Sequence, residues 1–130
     1  MIYTILVMSS PASGHCSRSA AEFALRVLAR GHRIYRVFFL DAGTTNGSVS
    51  NVYPQDETDP ATAWLNLAEE HAVDLVICIT SALRYGMLDD TESRRHERPG
   101  ATVNRAFTLS GLGQLVDACA MSDRLVTFGG

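Results

Sequence analysis

The residue of this sequence best placed for chemistry is Cys78, which lies in the stretch LVICITSALRYG at residues 75–86. The stretch begins as an apolar run and ends in a polar turn, so Cys78 lies near the end of a predicted strand. Thr80 and Ser81 can open a helical turn whose amides favour a thiolate, and Arg84 can add a positive charge. Cys78 is therefore a candidate nucleophile. The same position also suits a small buried core residue, because free cysteine is among the most buried residue types.

Two further cysteines have weaker claims to chemistry. Cys16 follows His15 in the loop after the first predicted strand, where it is either a second thiol at the same site or an incidental loop residue. Cys119 shares the apolar stripe of a predicted helix, which indicates a core role. That stripe consists of Leu112, Leu115, Val116 and Cys119. Three widely spaced cysteines without a C-x-x-C pair argue against a disulfide framework and a structural zinc site.

Cys78 and Arg84 also have the C-x5-R spacing of protein tyrosine phosphatases, in which loop amides and the arginine hold a phosphate around a thiolate. The five intervening residues, ITSAL, contain no glycine, and such a loop generally needs glycine to point its amides inward. Ile77 stands where that motif has histidine, and Tyr85 stands where it has serine or threonine. The phosphatase interpretation is therefore the weakest of the alternatives for Cys78.

The composition excludes several functional classes. All 11 basic residues are arginine, so a Schiff-base lysine and a P-loop lysine are both absent. A net charge of −3 without a basic cluster argues against direct binding of nucleic acid by this chain. The histidines lack ligand spacing, and the segment SGLGQL does not match a dinucleotide-binding motif, so we expect no metal and no cofactor.

The N-terminal segment MIYTILVMSS lacks the basic start and the apolar length of a signal peptide. No stretch of 18 apolar residues predicts a membrane span. We therefore expect a cytoplasmic protein that is not attached to a membrane.

Apolar runs that alternate with helical patterns predict the fold class. Strands are expected at residues 2–8, 34–40, 73–79 and 124–128. Ser19 and Glu22 have capping-box spacing, and Asp59 with Pro60 forms an N-cap and N1 pair for the next helix. Ser110 is expected to cap the last helix. The pattern predicts a single-domain three-layer α/β sandwich with a mainly parallel central sheet flanked by helices.

Two polar segments connect the predicted elements. The connection at residues 41–59 is long for a compact domain, which indicates a functional or partner-facing loop. Residues 89–104 are rich in charge, and their acids beside arginines predict a solvated, salt-bridged face. In an open parallel sheet, reactive groups gather beyond the carboxyl ends of the strands, where Cys78 and Cys16 are both expected.

Three segments of the chain resemble the DsrE/TusD sulfurtransferase family. They are CITSALRYGMLDDTES, FTLSGLGQLVDACAMSDRLVTFG and GHRIYRVFFLDAGTTNG, and the similarity extends over essentially the whole sequence. The resemblance implies a single DsrE/TusD-like sulfur-relay domain at residues 1–130 whose active cysteine is Cys78. Cys16 has no counterpart that we associate with the family, and Tyr85 stands where relatives often carry a second arginine.

The resemblance also implies partners and a pathway. Cys78 is expected to accept sulfane sulfur as a persulfide from a TusA-like donor and to pass it to a TusE-like acceptor, for 2-thiolation of the tRNA wobble uridine. TusB-like and TusC-like subunits are expected to complete a heterohexamer. The alternatives are a DsrE-like subunit in dissimilatory sulfur oxidation, a non-catalytic subunit of a complex in which Cys78 is buried, and the C-x5-R phosphatase.

Overall fold

The computed structural model of the chain describes residues 1–129, which form one parallel five-stranded sheet in the order β4-β3-β2-β1-β5. The strands are β1 (Ile2–Val7), β2 (Arg33–Phe39), β3 (Leu75–Cys78), β4 (Phe107–Ser110) and β5 (Arg124–Phe128). The helices are α1 (Cys16–Ala29), α2 (Pro60–His71), α3 (Ile79–Arg84), α4 (Asp90–Arg95) and α5 (Gly113–Met121), with a 3-10 helix at Asp41–Gly47. The predicted α/β fold class is confirmed.

The two faces of the sheet pack against different helices. The larger core lies on the face covered by α1 and α2, where Trp64 of α2 is fully buried beside Phe39 of β2. The smaller cluster on the opposite face contains Phe38 and Cys78, and Leu115 of α5 packs against it. The sheet is therefore the middle of three layers. Cys78 belongs to the smaller cluster, on the side of the sheet that α5 covers.

The starts of two helices differ from the sequence prediction. α1 begins at Cys16, so Ser19 lies inside the helix and the predicted capping box is wrong. Gly14, with φ of 69°, turns the chain early enough for the helix to begin before Ser19. The N-cap prediction for α2 is confirmed, because the Asp59 side chain accepts a hydrogen bond from the Ala61 amide at 2.9 Å.

The region before α5 also differs from the prediction. Ser110 does not cap a helix but ends β4, a strand that the sequence reading did not predict, and α5 begins at Gly113. Only Ala118 of α5 is fully buried, while Leu112, Val116 and Cys119 are exposed. The prediction of a core role for Cys119 is therefore wrong. The apolar stripe exists, but most of it faces away from the sheet.

The two polar segments are more closely packed than the sequence indicated. The first part of the connection at residues 41–59 is the 3-10 helix, in which Thr44 and Asn46 are buried. The charged segment contains α4, whose Glu92 side chain is only 5% exposed and contacts Arg95 and His96. The expected solvated face is therefore wrong for Glu92.

No helix within residues 1–129 is long and apolar enough to cross a membrane.

Candidate functional site

Cys78 lies at the carboxyl edge of the sheet, as the topology predicted. It is the last residue of β3, is paired with Ser110 of β4, and is the N-cap of α3. The residue is only 2% exposed and packs with Leu6 and Phe38. Its side chain makes no capping hydrogen bond to the helix. The sulfur is therefore shielded from solvent in the isolated chain, so a reaction with another protein's sulfur requires this side chain to become accessible.

Thr80 and Ser81 lie in the first turn of α3, as expected, but their side chains differ in surroundings. Thr80 is exposed, whereas Ser81 is buried. The Ser81 hydroxyl accepts a hydrogen bond from the Asp41 amide at 3.1 Å and lies 3.5 Å from the Asp41 carboxylate. The Ser81 side chain is thus engaged with the 3-10 helix, and only its backbone amide is available to act on the sulfur.

Arg84 is the last residue of α3 and is exposed. Arg84 is six positions after Cys78, which at 1.5 Å of rise per residue separates the two Cα atoms by about 9 Å along the helix axis. Within residues 1–129 no acidic side chain pairs with it. Because the residues between Cys78 and Arg84 are helical, their amides point along a helix axis and do not converge on an anion. This geometry argues further against the phosphatase interpretation.

Cys16 is not brought beside Cys78. It is the first residue of α1, is half-buried, and donates from its sulfur to the Gly129 carbonyl at 3.5 Å. Gly129 follows β5, which is three strands away from β3. At about 4.8 Å per strand, the two positions are roughly 14 Å apart along the edge. The two thiols share an edge but do not form one centre.

A buried amide network joins the loops of this edge, and sequence reasoning missed it. The Asn46 side-chain oxygen accepts hydrogen bonds from the Ser17 hydroxyl and the Trp64 indole, and its nitrogen donates to the Ser9 and Gly43 carbonyls. One side chain therefore connects α1, α2, the 3-10 helix and the end of β1. The only sequence signal was the TNG tripeptide, which indicates a turn and carries no information on burial.

Polar contacts at its edges hold α5 on the sheet. Arg36 of β2 donates to the Gln114 carbonyl at 2.7 Å and to the Asp117 carboxylate at 3.1 Å. Tyr35 also donates to Asp117, at 2.7 Å. The hydrogen bond from Tyr35 and then the Arg36 guanidinium lower the pKa of Asp117, and the same carboxylate raises the pKa of Tyr35. These polar contacts attach α5 to β2 beside the apolar packing of Leu115.

The outer side of α5 carries an apolar surface. Leu112, Val116 and Cys119 follow i, i+4, i+7 spacing, and we call them the α5 stripe. Leu112 is 54% exposed and Val116 is 69% exposed. The α5 stripe thus presents apolar side chains to solvent on one helix face.

Comparison with known proteins identifies the class to which this fold and site belong. The DsrE/DsrF-like family model matches residues 1–128. The chain belongs to this family. The sulfurtransferase TusD homolog of Pseudomonas aeruginosa is 42% identical over 125 residues, covering 96% of this chain and 95% of that protein. Sulfurtransferase TusD of Serratia proteamaculans is 40% identical, covering 98% and 100%.

Another relative bears a different family name. A DsrE protein of Allochromatium vinosum is 37% identical over 129 residues, which is 99% of each chain. Among solved structures, the ychN protein of Escherichia coli superposes with a TM-score of 0.73 at 16% identity, covering 98% and 100% of the two chains. That likeness supports the fold. The expected DsrE/TusD family membership and the sulfurtransferase class are confirmed.

Proposed function

We propose that the chain is a sulfur carrier that holds sulfane sulfur as a persulfide on Cys78. The observation that carries the proposal is the place of Cys78 at the carboxyl end of β3, where α/β sheets present reactive groups. Membership of the DsrE/DsrF-like family supports the proposal. In the sequence segments that resemble the family, the active cysteine falls on Cys78. The core interpretation of Cys78 and the carrier role are compatible if a partner exposes the sulfur.

The transfer consists of two thiol exchange steps. The Cys78 thiolate attacks the outer sulfur of a donor persulfide, the donor S–S bond breaks, and the donor leaves as a thiolate. In the second step an acceptor thiolate attacks the outer sulfur on Cys78, and Cys78 leaves as a thiolate. One S–S bond forms and one breaks in each step, so no external oxidant or reductant is needed. The exchange also needs no metal or cofactor.

The groups around Cys78 have supporting roles in this proposal. The backbone amides of Thr80 and Ser81 stabilise the Cys78 thiolate, which attacks in the first step and leaves in the second. Arg84 is exposed and has no acidic partner among residues 1–129, so it acts on the incoming partner or persulfide when the complex forms. Cys16 is about 14 Å away along the edge, and we give it no role in the transfer.

The partners are proposed from the relatives. Two relatives are named TusD, which favours a TusA-like donor, a TusE-like acceptor and tRNA wobble-uridine thiolation in the cytoplasm. TusB-like and TusC-like subunits complete a heterohexamer, and the exposed α5 stripe supports contact with one of them. The alternative is a DsrE-like role in dissimilatory sulfur oxidation, which the DsrE relative supports.

A complementation experiment tests the proposal and separates the two pathways. A strain that lacks the gene receives the wild-type chain or Cys78→Ser, and wobble 2-thiouridine in its tRNA is measured by mass spectrometry. We expect the wild type to restore thiolation and Cys78→Ser to leave it absent. Restoration by Cys78→Ser contradicts the carrier role, while restored sulfur oxidation without restored thiolation supports the alternative pathway.

A further inference from the structure

Asp41 has a backbone conformation that is unusual for its residue type. Its φ is 51°, in the left-handed region that favours glycine, although aspartate tolerates it better than most residues. It follows the end of β2, the strand that pairs with β3. Asp41 therefore lies on the edge where β3 ends in Cys78. Left-handed non-glycine residues persist where the surrounding contacts fix them.

The contacts that fix Asp41 come from α3. The Asp41 amide donates to the Ser81 hydroxyl at 3.1 Å, and the hydroxyl lies 3.5 Å from the Asp41 carboxylate, to which it donates. Ser81 is 7% exposed and is three residues after Cys78. A single hydroxyl thus serves as acceptor and donor to the same residue. The pair fastens the first turn of α3 to the 3-10 helix.

The 3-10 helix is itself held firmly. Gly43 lies so close to β1 that a Cβ at this position would be 2.1 Å from the Val7 carbonyl oxygen. The Asn46 side chain ties the same helix to α1 and α2. Ser81 is therefore bonded to a fixed part of the core. The position of the first turn of α3 follows from that attachment.

We propose that Asp41 and Ser81 are positioning residues that control the exposure of Cys78. Their hydrogen bonds hold the first turn of α3, and with it the N-cap residue Cys78, in the arrangement that buries the sulfur. The Cys78 side chain packs against Leu6, Phe38 and Leu115, so loosening the turn changes its exposure by moving the N-cap backbone that carries the sulfur. The importance of this pair for sulfur transfer rests on the proposed carrier role. Its effect on the exposure of Cys78 is independent of that role.

The experiment measures the alkylation rate of Cys78 by iodoacetamide in a Cys16→Ser, Cys119→Ser background. We expect Ser81→Ala to react about fivefold faster than the parent, the factor that corresponds to one lost neutral hydrogen bond. Ser81→Thr keeps the hydroxyl that bonds to Asp41, so its alkylation rate should stay within about twofold of the parent's. Asp41→Ala, which strains the left-handed backbone, serves as a second variant if Ser81→Ala fails to fold.

Ser93→Ala is the matched control, because Ser93 is also a buried helical serine and donates to the Arg98 carbonyl just after α4. It should lose similar stability and leave the alkylation rate of Cys78 unchanged. The proposal is overturned if Ser81→Ala reacts no faster than Ser93→Ala, or if Ser81→Thr reacts as fast as Ser81→Ala. Because the alkylation rate depends on the exposure and ionisation of the thiol and not on sulfur transfer, a wild type that accepts no sulfur contradicts the carrier role without deciding this pair.

Discussion

The indole N–H of Trp64 donates a hydrogen bond to the side-chain oxygen of Asn46 at 3.2 Å, which joins α2 to the 3-10 helix at the carboxyl edge of the sheet. Both residues are fully buried. The Ser17 hydroxyl donates to the same oxygen, so this oxygen satisfies two buried donors. The loops that surround the Cys78 edge therefore depend on one amide side chain.

Asn46→Ala should lower the free energy of unfolding by about 2–4 kcal/mol, because it leaves the Ser17 and Trp64 donors without their acceptor in the interior. Asn66→Ala changes an exposed residue of α2 and should alter stability by less than about 0.5 kcal/mol. Urea denaturation of both variants measures the difference. Equal stability of Asn46→Ala and the wild type would show that the network contributes little.

Gly43→Ala should destabilise the protein by about 2 kcal/mol, because the new Cβ meets backbone of β1 that cannot easily move. The matched control is Gly100→Ala, since a Cβ there meets no atom within 4 Å. Thermal unfolding of the two variants provides the measurement. If they prove equally stable, the close approach of the 3-10 helix to β1 is wrong.

Stability should depend on pH through Tyr35 and Asp117. The pKa of Asp117 is lowered in the folded chain from its ordinary 3.8, so its contribution is present above pH 3.8 and is lost as the pH falls through the lowered value. The pKa of Tyr35 is raised from 10.0, so its contribution is present below pH 10 and is lost as the pH rises through the raised value. Denaturation from pH 2.5 to 11 should show both losses.

Asp117→Asn is the variant that tests this coupling. It should flatten the acid side of the stability curve and reduce the alkaline loss, because the neutral amide no longer raises the pKa of Tyr35. Asp56→Asn changes an exposed acid of the connection before α2 and serves as the control. A curve for Asp117→Asn that overlies the wild type across this range contradicts the coupling.

The α5 stripe should be needed for assembly and dispensable for folding. Val116→Asp places a charge on a side chain that is mostly exposed, so stability should change by less than about 0.5 kcal/mol. Binding to the TusB-like and TusC-like subunits should weaken at least about tenfold if Val116 is buried at their interface. Native mass spectrometry of the co-expressed subunits measures the complex. Leu25→Asp on α1 is the control, and assembly of Val116→Asp at the wild-type level contradicts this role.

Local signals in the sequence predicted local features well. The Asp59–Pro60 pair marked the start of α2, and the apolar run before Cys78 placed this residue at the carboxyl end of a strand. The periodicity of Leu112, Val116 and Cys119 also predicted a helix face. It could not tell which way that face points, because a stripe that contacts a partner has the same spacing as one that contacts the sheet.

Features that depend on residues far apart in the sequence could not be predicted from local patterns. The Asn46 side chain is held by Ser9, Ser17 and Trp64, which come from different parts of the chain, and by Gly43 of its own 3-10 helix. The Asp41–Ser81 pair joins residues 40 positions apart, and no spacing rule connects them. The start of α1 was misplaced because Ser19 and Glu22 fit a capping box, while the turn at Gly14 decided the boundary.

The central claim is that Cys78 carries the sulfur, and mass spectrometry of the intact protein and its peptides tests it most directly. The wild type, Cys78→Ser and Cys16→Ser are each incubated with a persulfidated TusA-like donor and analysed without reductant. We predict one added sulfur on the Cys78 peptide in the wild type and in Cys16→Ser, and none in Cys78→Ser. Equal sulfur on Cys78→Ser, or no added sulfur on the wild type in the assembled complex, contradicts the account.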